Sequence, residues 1–174
     1  MSPLETQLRQ AGLEVIGTGT ALSALGPHWL HSSPLLEDFT PAEADIFGAA
    51  LVVVRARPGQ VLVAEGDVGD WMLVVLSGTV DVTKRTPHEH ATRLAVIKAG
   101  TAIGEMSMLD GKPRYASCTA IETVEAGVMG REAVARLIHD HPAIGAKLLI
   151  KLTQLLARRL RGTSNQLVRA LEKK

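Results

Sequence analysis

The chain has 174 residues, enough for one domain with a real core and short appendages. Hydrophobic residues make up 46% of it but aromatics only 3%, so the core has to be built from Val, Leu, Ile and Ala. A formal net charge of +1 excludes any global electrostatic reason to bind nucleic acid, and a single cysteine, Cys118, excludes an internal disulfide.

Residues 1 to 34 are rich in Gly, Ser and Thr, with a weak amphipathic start at Leu4, Leu8 and Leu13. They read as a short helix followed by a loose arm. Glycines and threonines dilute Leu13 to Leu25 too far for a signal peptide, and no run reaches the length of a membrane span, since even Ala49 to Val54 is broken at Arg55. The expectation is a soluble cytoplasmic protein. Better-defined structure begins at Ser33-Pro34, where Leu35, Leu36 and Phe39 lead to Thr40-Pro41-Ala42-Glu43, a capping box with Pro at the first helical position. This predicts a helix through Ala44 to Ala50, with Trp29 and Phe39 as packing anchors.

From Leu51 the period changes. Val52–Val54, Val61–Val63, Met72–Leu76, Thr79–Thr83, Arg93–Ile97, Ser117–Ile121 and Val124–Met129 are short β-prone runs, and Pro58-Gly59, Glu65-Gly66-Asp67, Ser77-Gly78 and Ala99-Gly100 punctuate them as turns. Short strands at this spacing predict a mainly β domain, a small barrel or jelly roll, with flanking helices. Cys118 lies within one of these runs and reads as a buried, reduced core residue.

Gly104 to Ser117 is the most informative stretch. Gly104 lets the backbone approach a ligand closely, and the helix-favouring run Glu105 to Leu109 turns its free N–H groups toward whatever lies before it, which makes an anion site. Asp110-Gly111-Lys112-Pro113 reads as a turn, after which Arg114 can swing a planar, permanently charged fork back onto the same anion. Glu105 cannot favourably touch an anion, so its natural partner is a neutral hydroxyl. The pair describes a ligand with a phosphate and a sugar-like hydroxyl. The plainer alternative for Arg114 is an intramolecular pair with Glu105 or Asp110.

The pattern Gly-Glu-Met-x-Met, turn, Pro-Arg-x-Ala-Ser resembles the phosphate-binding cassette of the cyclic-nucleotide-binding domain family, which includes catabolite activator proteins and regulatory subunits of cyclic-AMP-dependent kinase. The likeness in layout runs from about Leu35 to Leu171, and the turn glycines of Pro58-Gly59-Gln60, Glu65-Gly66-Asp67 and Ser77-Gly78-Thr79-Val80 are similar as well. The resemblance implies a double-stranded β-helix, with Glu105 holding a ribose 2′-hydroxyl and Arg114 the cyclic phosphate. Gly104, Met106, Tyr115 and Ala116 complete the cassette, and Tyr115 departs from the small Ala, Ser or Thr usual after the arginine. The strand before it offers Leu94 and Ala95, suited to a purine face and equally to plain core.

After Gly130 the pattern is helical. Arg131 to His139 forms a short helix, and Pro142 opens a second that continues to at least Leu160 and on toward Leu171. Leu149, Leu152, Leu156, Leu160, Thr163, Leu167 and Leu171 recur at threes and fours as a seam that needs a partner helix, which predicts a homodimer. Ala157-Arg158-Arg159-Leu160-Arg161-Gly162-Thr163-Ser164 resembles the dimer helix of catabolite activator proteins. The resemblance implies that Thr163 and Ser164 contact an adenine amino group, Ser164 from the opposite subunit. The alternative is a polar spacer at Thr163 and a solvated Ser164. Lys147, Lys151, Arg158, Arg159, Arg161 and Arg169 read as a solvated basic face.

Three segments follow: an N-terminal arm (1–34), a β-roll with its leading helix (35–129), and C-terminal helices (130–174). The functional expectation is a non-enzymatic cyclic mononucleotide sensor, with cyclic AMP as ligand and no metal, that relays binding to a partner protein. A transcription-related regulator, or a sensor of cyclic GMP or a cyclic dinucleotide, is the alternative. The resemblance's DNA-reading members carry a helix-turn-helix after the long helix, and the expectation here is that none follows before Lys174. A cupin-type metal enzyme would have to use His88 and His90, yet Pro87-His88-Glu89-His90 reads as a polar hairpin turn.

Overall fold

The computed structural model describes residues 1–88 and 90–172. Two antiparallel sheets face each other as a roll. The five-stranded sheet has the order β1-β2-β9-β4-β7 and the four-stranded sheet β3-β8-β5-β6. Their strands are β1 (Glu14–Thr18), β2 (Val52–Ala56), β3 (Val61–Val63), β4 (Trp71–Ser77), β5 (Val80–Arg85), β6 (Ala91–Ile97), β7 (Ala102–Ile103), β8 (Ser117–Ala120) and β9 (Val124–Gly130). Helices α1 (Pro3–Gln10), α2 (Pro27–Ser32) and α3 (Pro41–Ala49) precede the roll. The single-turned α4 (Glu105–Asp110) sits within it, and α5 (Arg131–Asp140) and the long α6 (Pro142–Glu172) follow. This is the jelly-roll fold with flanking helices that the β-runs and turns predict.

The apolar run of β4 explains where the core sits. Leu73 and Val75 point between the sheets with Val54, Val80, Ala120, Ala126 and Val128. Met72, Val74 and Leu76 point the other way, under a helical layer that includes Leu36, Phe39, Phe47, Leu137, Leu148 and Leu152. Both faces of this strand are covered, so it cannot alternate apolar with polar. Thr40 and Glu43 form the capping box at the start of α3. Phe39 packs edge-on to Phe47, and the Trp29 indole N–H donates to the Leu76 carbonyl at 3.1 Å.

The N-terminal arm is not loose. Val15 and its neighbours pair with β2 as an extra edge strand, and Leu8 and Leu13 are buried in the core between the sheets. The Gly and Thr content obscured this strand, whose alternating burial covers only five residues. Pairing with the edge of β2 supplies what local propensity lacks.

Only part of the basic set on α6 is a solvated face: Arg161 and Arg169 are exposed, whereas Lys147, Lys151 and Arg158 reach acidic groups far upstream. Lys151 is only 4% exposed, and its ammonium reaches Glu37 at 2.9 Å and also Asp38. Lys147 donates to Glu43 at 2.7 Å and to the Asp38 carbonyl at 3.0 Å. Arg158 stands 3.7 Å from Glu37. Spacing along one helix could not reveal this clamp, because its acidic half lies more than a hundred residues upstream.

Candidate functional site

Gly104 has φ +80°, left-handed backbone that glycine adopts without strain, and it serves as the N-cap of α4. A Cβ built there would come 2.8 Å from Arg114 Nη1, so the glycine also makes room for the arginine. The turn that follows has the expected form: the Lys112 N–H donates to Asp110 Oδ1 at 2.9 Å, and Gly111 is left-handed at the end of α4.

Arg114 is 4% exposed. Its N–H donates to the Asp67 carbonyl at 2.8 Å, and its own carbonyl accepts from the Gly66 N–H at 2.9 Å, so the loop before β4 brackets it. Nη1 donates to the Trp71 carbonyl at 2.8 Å and to the Gly104 carbonyl at 3.0 Å, while the guanidinium carbon lies 4.3 Å from the centre of the Trp71 ring. Nη2 is buried with no hydrogen-bond partner among the described residues. Burial lowers the Arg114 pKa; the nearby Cys118, Asp70, Asp67 and Glu105 oppose that shift. The alternative of an intramolecular pair with Glu105 or Asp110 is not what forms.

Glu105 is 1% exposed, and its partner is Arg159 of α6. The same guanidinium donates through Nη2 to the Ala102 carbonyl at 2.8 Å, so it spans β7 and the cassette. At the other end of α4, Arg131 donates to the Met108 carbonyl at 2.8 Å and binds the first residue of α5 to the cassette helix. Met106 is exposed at the outer side of α4.

Tyr115 is 57% exposed. Its carbonyl accepts from Lys84 Nζ at 2.7 Å, and that ammonium sits 4.4 Å from the centre of the Tyr115 ring. Lys84 also binds Glu65 at 2.7 Å. The hydrogen bond from Lys84, then that from the Arg85 N–H, hold the Glu65 carboxyl below its ordinary pKa. The ring is thus drawn toward β5, and neither the Tyr115 nor the Ala116 N–H donates to a group among the described residues.

Leu94 and Ala95 lie on β6, the edge of the four-stranded sheet, and both are exposed, so neither is core. Thr163 and Ser164 are exposed on α6, and the Thr163 hydroxyl donates back to the Arg159 carbonyl at 3.0 Å. The structure therefore brings Gly104, Glu105, Arg114, Tyr115 and Ala116 into one cassette; Thr163 and Ser164 stand beyond it in this single chain. Cys118 is buried, and burial pushes its thiol up to about 12. Among the described residues no three His, Cys, Asp or Glu side chains gather to hold a metal, and Glu89 of the His88–His90 turn lies outside them.

Sequence reasoning missed Arg159, Trp71, Lys84 and Arg131. A signal existed only for Arg159, within Arg-Arg-Leu two residues before Thr163-Ser164. The other three act through contacts made by folding.

A β-roll that buries a carboxylate and an arginine after a glycine-capped helix turn, with a long helix reaching back to the carboxylate, defines the class of domain. The chain belongs to the cyclic nucleotide-binding domain family, whose model matches residues 53–141, just over half of it. Among solved structures, it is similar to a cyclic nucleotide-binding domain from Methylobacillus flagellatus, with TM-score 0.78 and 33% identity, covering 91% of this chain and 89% of that one. It is 38% identical over 109 residues to the CRP-like cAMP-activated global transcriptional regulator of Mycobacterium tuberculosis, covering 63% of this chain and 47% of the relative. It is 30% identical over 110 residues to the cAMP-dependent protein kinase regulatory subunit of Yarrowia lipolytica, covering 63% of this chain and 28% of that protein. The chain thus spans less than half the length of these curated relatives. No helix among its described residues is long and apolar enough to cross a membrane.

Proposed function

We propose that this chain is a cytoplasmic sensor that binds a cyclic mononucleotide, cyclic AMP before others, without converting it, and relays binding to a partner protein through α6. In this reading Glu105 accepts from the ribose 2′-hydroxyl and Arg114 holds the cyclic phosphate with the free N–H groups of Tyr115 and Ala116. Met106 and Gly104 shape the cassette, and Leu94 and Ala95 offer an apolar face to the purine. Thr163 and Ser164 meet the adenine amino group from a second copy paired along α6. The names of the relatives from Mycobacterium tuberculosis and Yarrowia lipolytica support cyclic AMP as the ligand.

The observation that carries the reading is the contact of Glu105 with Arg159. The carboxylate assigned to the ribose is also the point where α6 grips the cassette. A ligand hydroxyl at Glu105 competes with that grip, so binding biases the position of α6, which the clamp of Lys147 and Lys151 on residues 37–43 holds at its other half. A ligand shifts such an equilibrium only by its differential affinity for the two positions. The Mycobacterium tuberculosis relative favours a second reading, in which the output is transcription.

Two or three charge-assisted contacts at ~1.5–3 kcal/mol each, with a buried base, suffice for micromolar affinity after ordering costs. Calorimetry with cyclic AMP tests this on the unaltered chain, Arg114→Leu and Glu105→Gln. Micromolar binding that falls at least about a hundredfold in Arg114→Leu and about tenfold in Glu105→Gln is the expected result. Equal affinity in all three proteins would move the ligand to another surface.

A further inference from the structure

Arg114 is held by more than the cassette. Its guanidinium is enclosed between Gly104, whose built Cβ would be 2.8 Å from Nη1, and Gly69, whose built Cβ would be 2.5 Å from Nη2. The third wall is the Trp71 indole, 4.3 Å from the guanidinium carbon, and the carbonyl of the same residue accepts from Nη1 at 2.8 Å. Trp71 itself is fixed as the first residue of β4, paired with Gly130 and 6% exposed. One residue therefore sets both the plane of the fork, through its ring, and the direction of Nη1, through its backbone.

The consequence concerns Nη2. With Nη1 committed to two carbonyls, Nη2 and Nε are left for an incoming oxygen, and Nη2 is buried and unpartnered among the described residues. A buried donor without a partner is costly, and a ligand oxygen relieves that cost on arrival. A guanidinium free to rotate would instead turn Nη2 to the protein or to water. The indole face opposes that rotation.

We propose that Trp71 is a positioning residue for phosphate recognition: its ring holds the Arg114 fork flat so that Nη2 stays unpaired until a ligand phosphate oxygen takes it. This rests on the cyclic-nucleotide reading above. It adds that affinity for the phosphate depends on an aromatic face at position 71, outside the cassette.

The test is calorimetry with cyclic AMP on the unaltered chain, Trp71→Phe, Trp71→Leu, Arg114→Lys and the double variant Trp71→Leu with Arg114→Lys, each checked for a cooperative melt. Trp71→Leu should weaken binding about tenfold, and Trp71→Phe, which keeps a ring face, by no more than about threefold. In the Arg114→Lys background the same Leu change should cost less than about twofold, because a lysine has no plane to hold. An equal loss in both backgrounds, or no loss in either, would overturn the proposal and leave the sensor reading intact. Absence of binding by the unaltered chain would strike the sensor reading itself and the proposal with it. Should Trp71→Leu fail to fold, the emission of Trp71 alone in Trp29→Phe decides. Cyclic AMP should change it and adenosine, which lacks the phosphate, should not; the same response to both would overturn the proposal.

Discussion

Arg159 on the C-terminal helix holds Glu105 inside the cassette and, with the same guanidinium, the Ala102 carbonyl at 2.8 Å. The contact joins residues 54 positions apart and makes the long helix part of the candidate ligand site. Glu105 is 1% exposed, so removing its partner leaves a buried carboxylate with no counter-charge. Arg159→Leu should therefore cost about 1–3 kcal/mol of stability, seen as a lower denaturant midpoint, and should loosen residues beyond Leu155 in hydrogen exchange. Unchanged exchange there would show that the grip does not hold the helix.

The clamp at the other half of α6 should be sensitive to acid. The hydrogen bond from Lys147, then that with the Thr40 N–H, hold the Glu43 carboxyl below its ordinary value of 4.5. A lowered carboxyl stabilises fully above its unfolded pKa and loses that contribution as pH falls through the folded value, so the clamp weakens below about pH 4.5. At the alkaline end, burial alone would lower the Lys151 pKa, but hydrogen bonds with Asp38 and Glu37 outweigh it and raise the pKa. That contribution is complete below the ordinary lysine range and is lost only as pH rises through the higher folded value. The opening free energy at Lys147 to Leu152, from exchange rates corrected for their intrinsic pH dependence, should fall on acidification and stay flat from pH 6 to 9, and Glu43→Gln should flatten the acid limb.

Tyr115 is bulky where small residues are usual in the resembling cassettes, and its ring lies beside the Lys84 ammonium. Tyr115→Ala keeps the N–H and should leave cyclic AMP affinity within about threefold. Lys84→Met removes the anchor of the Tyr115 carbonyl at 2.7 Å and should weaken binding more, about fivefold to tenfold. The reverse order would mean that the ring itself meets the ligand.

Leu160, Leu167 and Leu171 are 69%, 60% and 63% exposed in the single chain, whereas Leu152 and Leu149 of the expected seam pack into the core of their own chain, so only its outer half is left for a partner helix. A paired α6 would cover them. Leu160→Glu with Leu167→Glu should convert a dimer to a monomer in sedimentation velocity at micromolar concentration, and should weaken cyclic AMP binding if Ser164 acts across the pair. A monomeric unaltered chain would remove Thr163 and Ser164 from the site.

The sequence disclosed the roll and the cassette because both are local: turn glycines punctuate β-branched runs, and Gly104, Glu105 and Arg114 stand within eleven residues. It disclosed the ends of α5 and α6 through Pro142 and their apolar period. What it hid depends on folding across long separations. Lys151 looked solvated until Glu37 and Asp38 came to it, and Trp71, just before the β-run Met72–Leu76, gave no sign of its stacking on Arg114. Val15 and Ile16 looked like part of a loose arm, since only the open edge of β2 makes a strand of so short a segment. Arg114 lies beside Gly104, but its engagement with the Trp71 and Gly104 carbonyls could not be inferred from spacing.

The most direct test of the central claim is the thermal midpoint of the full chain with cyclic AMP, cyclic GMP and cyclic dinucleotides, each at millimolar concentration. A ligand that binds only the folded state raises its stability by about 2.7 kcal/mol at a hundred times its dissociation constant, which for a chain of this size is a rise of roughly 5–10 °C. Cyclic AMP should give that rise, cyclic GMP a smaller one and cyclic dinucleotides none, and Arg114→Leu should abolish the response. No shift with any of these ligands at millimolar concentration would contradict the account.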